Sequence, residues 1–230
     1  MPKLIVFGPT GQTGIQLIRV ALENPDNEVS IFIRTPSRLP EDLRDKVNSI
    51  VGDVTDKQAV IDAIKGHDAI VSGLGTGKNL GANTILSTGA KNMVAGMKEH
   101  NVKKFAFIGI SDLLPEGLLS GLLARFWRWV LRNITADHER VLNFLKEQGD
   151  EVNWVAIMPP QIVDKPHTGN YATAVNKLAG SRKVMSGDIA HAMVTLVTDD
   201  EKFAENNRKL LGISTLTQTE STVYDHCIIL

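Results

Sequence analysis

A single cysteine, Cys227, stands among 230 residues, and that excludes an internal disulfide. Six histidines are scattered without paired ligand spacing, so no metal site is expected. Neither sign of charge dominates. The 25 basic and 26 acidic side chains leave a net −1, which provides no electrostatic footprint for nucleic acid. No apolar run reaches the ~20 residues that span a bilayer. The first strand pattern begins at Lys3, so no secretory or transit peptide is expected. No repeat or low-complexity linker divides the chain. These absences leave one globular domain over residues 1–213, a monomer in the cytoplasm, with a loose polar tail over 214–230.

What is present is alternation. Strand patterns at Lys3–Phe7, Glu28–Ile33, Ser49–Val51, Ala69–Ser72, Lys104–Ile108 and Asn153–Ile157 alternate with helical ones. The helices are expected at Gly14–Glu23, Lys57–Ile64, Ala82–His100, Thr135–Gln148 and Asp188–Val197, the last capped by Asp188. Such βα units imply an α/β fold with a doubly wound, Rossmann-like parallel sheet covered on both faces. Arg208–Leu211 reads as an edge strand. Pro159–Lys183 reads as a long irregular segment, of the kind that lines a site.

The first strand runs into Gly8-Pro-Thr-Gly11-Gln-Thr-Gly14, and a helix follows at once. Gly8 suits the tight turn. Gly11 lets backbone approach a pyrophosphate, and Gly14 lets helix and strand pack closely. The helix N-terminus then offers N–H groups to phosphate. After the second strand, where a site for NAD carries an acid, this chain has Arg34, with Arg38 nearby. Guanidinium groups there favour NADP(H) through its 2′-phosphate, unless they are only solvated loop charges. Asp53 is placed to reach an adenine amino group or to serve as a turn residue. Gly73-Leu-Gly75-Thr-Gly77 forms a second glycine-rich strand end. It is no Walker A loop, because Ser72 and Asn79 stand where a glycine and a hydroxyl residue are required.

Phe7–Gly14, Ser37-Arg-Leu-Pro40, Val51-Gly-Asp-Val54, Leu74-Gly-Thr76, Gly89-Ala-Lys-Asn92, Met97-Lys98, Asp137-His138, Met158-Pro-Pro160 and Thr168-Gly-Asn-Tyr171 together carry a resemblance. The chain resembles the NADPH-dependent flavin reductase, or biliverdin-IXβ reductase, family of atypical short-chain dehydrogenases, beside the NmrA-like proteins. The resemblance implies hydride transfer from NADPH to a small planar conjugated acceptor, such as a flavin, tetrapyrrole or quinone-like compound. It places cofactor contacts on Thr10, Gly11, Gln12, Thr13, Arg34, Arg38, Asp53, Val54, Leu74, Gly75 and Thr76. Ser111, His138, Met158, Pro159 and Pro160 would border the pocket. The chain departs from the family at Gly77, followed by Lys78, and at Gln161, where an arginine and a histidine are usual. A non-catalytic NADP-binding sensor of NmrA type is the alternative.

The chain's two tyrosines, Tyr171 and Tyr224, lack a lysine four places on; Val175 and Ile228 stand there. The Tyr-x-x-x-Lys proton donor of mainstream short-chain dehydrogenases is therefore missing. Ser111 reads as an orienting or proton-passing hydroxyl, or as a strand-end cap. His138 reads as a general acid, or as a structural surface histidine. Lys78 reads as a lure for an acidic acceptor, or as a solvated charge. Trp127, with Trp129, reads as a stacking platform, or as core or lid. Cys227-Ile-Ile-Leu230 reads as a geranylgeranylation box, which would tether the protein to the cytosolic face of a membrane, or as a frayed apolar tail.

Overall fold

The computed structural model describes residues 1–77, 81–110, 122–177 and 180–216, side chains of 122–131 excepted. The chain runs β1 (Lys3–Phe7), α1 (Gln12–Ala21), β2 (Glu28–Ile33), α2 (Glu41–Arg44), β3 (Asn48–Val51), α3 (Lys57–Ile64), β4 (Ala69–Ser72) and α4 (Ile85–His100). It continues with β5 (Lys104–Ile108), α5 (Leu122–Glu147), β6 (Trp154–Met158), β7 (Gln161–Val163), β8 (Tyr171–Val175) and β9 (Lys183–Met185). The last elements are α6 (Ser186–Thr198), α7 (Asp200–Asn206) and β10 (Leu210–Thr215).

Eight strands form one sheet in the order β3-β2-β1-β4-β5-β6-β10-β8. All neighbours pair in parallel except β8, which runs antiparallel to β10 at the edge. This is the doubly wound arrangement expected. β1 and β4 are sheet neighbours from opposite windings, so their carboxyl ends mark the switch point where such sheets bind ligands. Strand residues Leu4–Phe7 are buried on both faces, hence their unbroken apolar run. One core layer packs α1 and α6 on the sheet; the other packs α3, α4 and α5.

Several expected boundaries shift for physical reasons. Helix α1 begins at Gln12, before Gly14, because Gly14 is a packing residue inside it. Helix α5 begins thirteen residues before Thr135, so the aromatic run Phe126–Trp129 lies within it. Asp188 does not cap α6; Met185 occupies that position. Asp188 sits fully buried in the first turn, accepting from Thr168 N–H at 2.6 Å and from the Thr215 hydroxyl at 2.5 Å. That carboxylate ties the Thr168–Tyr171 motif to β10. The expected edge strand is instead β10, an interior strand, and it crosses the 213/214 boundary. Ser214 and Thr215, expected in the loose tail, are buried because Ser181 and Asp188 take their hydroxyl groups. Pro159–Lys183 is less irregular than expected, since it carries β7 and β8 and the start of β9.

Candidate functional site

At the switch point lies a cleft of about 790 Å3, within the range of small-molecule sites. Its floor is the turn after β1. Gly8 has φ +73, and a Cβ on it would stand 2.7 Å from the Leu74 backbone. A Cβ on Gly14 would run into the Gly8 carbonyl. Those two glycines serve the fold. Gly11 and Gly75 are different: a Cβ on Gly11 would meet nothing nearer than 3.5 Å, and one on Gly75 nothing within 4 Å. Both line the cleft, where packing does not demand a glycine and bare backbone faces the open space. No side chain caps α1 and no acid stands in its first turn. Its opening residues Gln12 and Thr13 face the cleft, which suits a phosphate group.

Arg34, directly after β2, and Arg38 line one end. The Arg34 guanidinium lies 3.5 Å from the Asp53 carboxylate, both partly exposed. Asp53 also accepts from the Thr55 N–H at 2.9 Å and hydroxyl at 2.7 Å. Those Thr55 bonds, with smaller help from Arg34, hold its carboxyl below the usual range. Helix α4 fixes this loop from behind, because buried Asn92 donates to the Val54 carbonyl at 2.9 Å. Gly89 gives room, since a Cβ there would meet Val54 at 2.7 Å. The Gly89–Asn92 motif thus positions the cofactor end without touching it.

His138 lines the other end with Ile110, Pro159 and Pro160. Burial pushes its imidazole down to about 4, against an opposing pull from Asp137, so it is neutral near pH 7. A neutral ring offers an N–H, not an imidazolium. The unfolded chain takes up this proton first on acidification. Stability from neutral His138 is therefore present above about pH 6.5 and drains away towards about pH 4. Urea midpoints measured across that window should fall more steeply in the wild type than in His138→Gln; equal slopes would refute the burial.

The adjacent Asp137 is fully buried. Its carboxylate accepts from Leu86 N–H at 2.9 Å and from the Ser87 hydroxyl at 2.5 Å, in the first turn of α4. Since Thr84 gives α4 no side-chain cap, Asp137 caps that helix from α5.

The cleft thus gathers Gly8, Thr10, Gly11, Gln12, Thr13, Arg34, Arg38, Asp53, Val54, Leu74, Gly75, Thr76, His138 and Pro159. Gly14 lies beneath it as packing. Met158 is not among its walls; it is buried under Gly109. Gln161, expected in the acceptor pocket, is exposed on β7, and Ile162 beside it lines the cleft instead. Ser111, Lys78, the Trp127 side chain and Cys227 lie outside the described residues. Sequence reasoning misses Phe32, Ile85, Ile108, Ile110, Ile134 and Ile162, apolar walls that look like ordinary core. Tyr171 belongs to β8, away from the cleft: its buried hydroxyl meets His191 Nδ1 at 2.8 Å.

Known proteins share this fold. A candidate NADH-flavin reductase from Streptococcus pneumoniae superposes with TM-score 0.73, at 17% identity, over 94% of this chain and 100% of that one. A short-chain dehydrogenase/reductase from Veillonella parvula, solved with NADP, gives TM-score 0.73 at 14% identity over 95% and 96%. Likenesses this distant establish the fold. A 3-beta-hydroxysteroid dehydrogenase from Mycolicibacterium neoaurum is 27% identical over 126 residues, half of this chain and 34% of that protein. The chain thus matches about a third of that relative's length. The profile of the NAD(P)H-binding family matches residues 8–200, and with the cleft in the expected place the chain belongs to that family of oxidoreductase-type, Rossmann-fold proteins.

Proposed function

We propose that the protein is an NADPH-dependent reductase of a planar conjugated acceptor of the flavin type. The observation that carries this reading is one continuous cleft, basic at the Arg34–Arg38 end and apolar at the His138–Pro160 end. Bound there, NADPH supplies a hydride. The Gly8–Thr13 turn binds its pyrophosphate through backbone N–H groups. Arg34 and Arg38 hold the 2′-phosphate, and Asp53 stands beside them for the adenine amino group. Gly75 and Thr76 leave room for the ribose next to the reactive ring. Ile110, Ile134 and Ile162 give the reacting face an apolar wall. His138 presents a neutral ring edge to the acceptor. Tyr171 is engaged with His191, and the described walls of the cleft hold neither a tyrosine nor a lysine. An acceptor that delocalises the incoming charge and draws its proton from solvent suits such a site.

Loss of NADPH absorbance on adding riboflavin or FMN tests this directly, and turnover well above the uncatalysed rate is expected. Tight NADPH binding with no turnover on any flat acceptor would favour the NADP-binding sensor instead.

A further inference from the structure

Beside the cleft, α5 and the sheet flank a second, partly open hollow of about 180 Å3. Ile110 and His138 wall both spaces, so the two adjoin there. The hollow then descends. Leu142 lies one helical turn past His138 on α5, and Leu210 pairs with Ala156, two residues below Met158 on β6. It runs down the sheet, away from the strand ends where the coenzyme's ring would lie. It is a chamber beside the cleft, not the cleft itself.

Leu142, Leu210, Met158 and Ile110 give it a mostly apolar surface, with the neutral polar groups of Thr135 and Asn176 also in its walls. An apolar cavity of about 150 Å3 accepts benzene, so this one has room for a ring of that size. Charge narrows the choice further. Glu139 is an acidic wall residue, and no described wall residue is a lysine or arginine. A carboxylate or phosphate here would lose water and face a like charge. We propose that this hollow binds an uncharged, ring-sized apolar arm of the acceptor whose conjugated head lies in the cleft. The proposal rests on the reductase reading, and it predicts discrimination against acceptors with acidic arms.

Two measurements test it. The first needs no turnover. Methyl NMR of the NADP+-loaded protein should show saturable shifts at Ile110, Leu210 and Met158 on adding toluene, with benzoate at least tenfold weaker. Leu142→Trp, which fills the hollow, should abolish the shifts at Met158; Leu210→Phe serves if that variant does not fold. The second compares isoalloxazines with methyl, benzyl or carboxybenzyl at N10 as acceptors for NADPH. Burying the benzyl ring should raise kcat/KM roughly ten- to hundredfold over methyl. Carboxybenzyl should lose that gain.

No toluene shift in wild type would overturn the hollow as a binding site, whatever the enzyme reduces. Equal shifts with benzoate would overturn the preference for an uncharged group. Turnover of all three flavins at equal kcat/KM would separate the hollow from the acceptor while leaving the reductase reading intact. Toluene binding without turnover of any flavin would overturn both that reading and the acceptor arm, leaving a site for small apolar rings.

Discussion

Replacing Asp137 by alanine should lower the unfolding midpoint by about 6–12 °C, the equivalent of roughly 3 kcal/mol in a chain this size. The half-exposed Arg140 guanidinium loses a contact at 3.5 Å, and two buried donors lose a charge-assisted partner at once: the Leu86 N–H and the Ser87 hydroxyl. Neither finds water readily, since Leu86, Ser87 and Asp137 are all buried. The same carboxylate complements the positive end of α4, so that contribution goes too. Two companion variants separate these causes. Ser87→Ala removes one hydroxyl donor and should cost about 1 kcal/mol. Asp137→Asn keeps one acceptor oxygen but loses the charge, and should fall between the two. Calorimetry checks the series. An alanine variant within about 1 °C of wild type would remove the cross-helix cap. The effect reaches the site as well, because Asp137 precedes His138 and anchors α5 beside the cleft.

This residue also shows where sequence reading stops. Asp137 is visible there only as half of a matched pair, Asp137-His138, with no hint of its partner fifty residues away. The parts that are legible have local causes. β1, β2, β4, β5 and α3 lie at the expected bounds, because buried parallel strands and an amphipathic helix show their burial in their own residues. β10 escapes as an interior strand because Gly212, Ser214 and Thr215 are polar or small. Their burial depends on Ser181 and Asp188, which approach only in the folded chain. The glycine turn reveals the cofactor end because a tight turn and a close approach to phosphate both demand glycine. The apolar end of the cleft is walled by isoleucine and proline, which sequence alone cannot tell from core. Tertiary neighbours give Gly8 and Gly14 a structural role, while Gly11 and Gly75 line the cleft with no packing contact that demands glycine.

Arg34→Glu should weaken NADPH binding by about a hundredfold while leaving NADH within a few-fold of wild type. In the free protein the guanidinium rests 3.5 Å from Asp53 in a half-exposed pair. Such pairs contribute little, about 0–1 kcal/mol, so a 2′-phosphate can draw the arginine across at small cost. Charge-assisted bonds from a guanidinium to a phosphate are each worth roughly 1.5–3 kcal/mol. Charge reversal adds repulsion among the introduced carboxylate, Asp53 and the phosphate dianion. NADH carries only a hydroxyl there, and a carboxylate can accept from it, so its affinity should hold or rise. Arg34→Ala should give an intermediate loss, and Arg38→Ala a smaller one. Salt provides an independent check. Wild-type affinity for NADPH should fall with ionic strength more steeply than affinity for NADH, and Arg34→Ala should narrow that difference. Titration calorimetry with both coenzymes measures every arm. Equal losses for the two would detach Arg34 from the 2′-phosphate, and the basic end of the cleft would then be a solvated loop with no part in choosing the coenzyme.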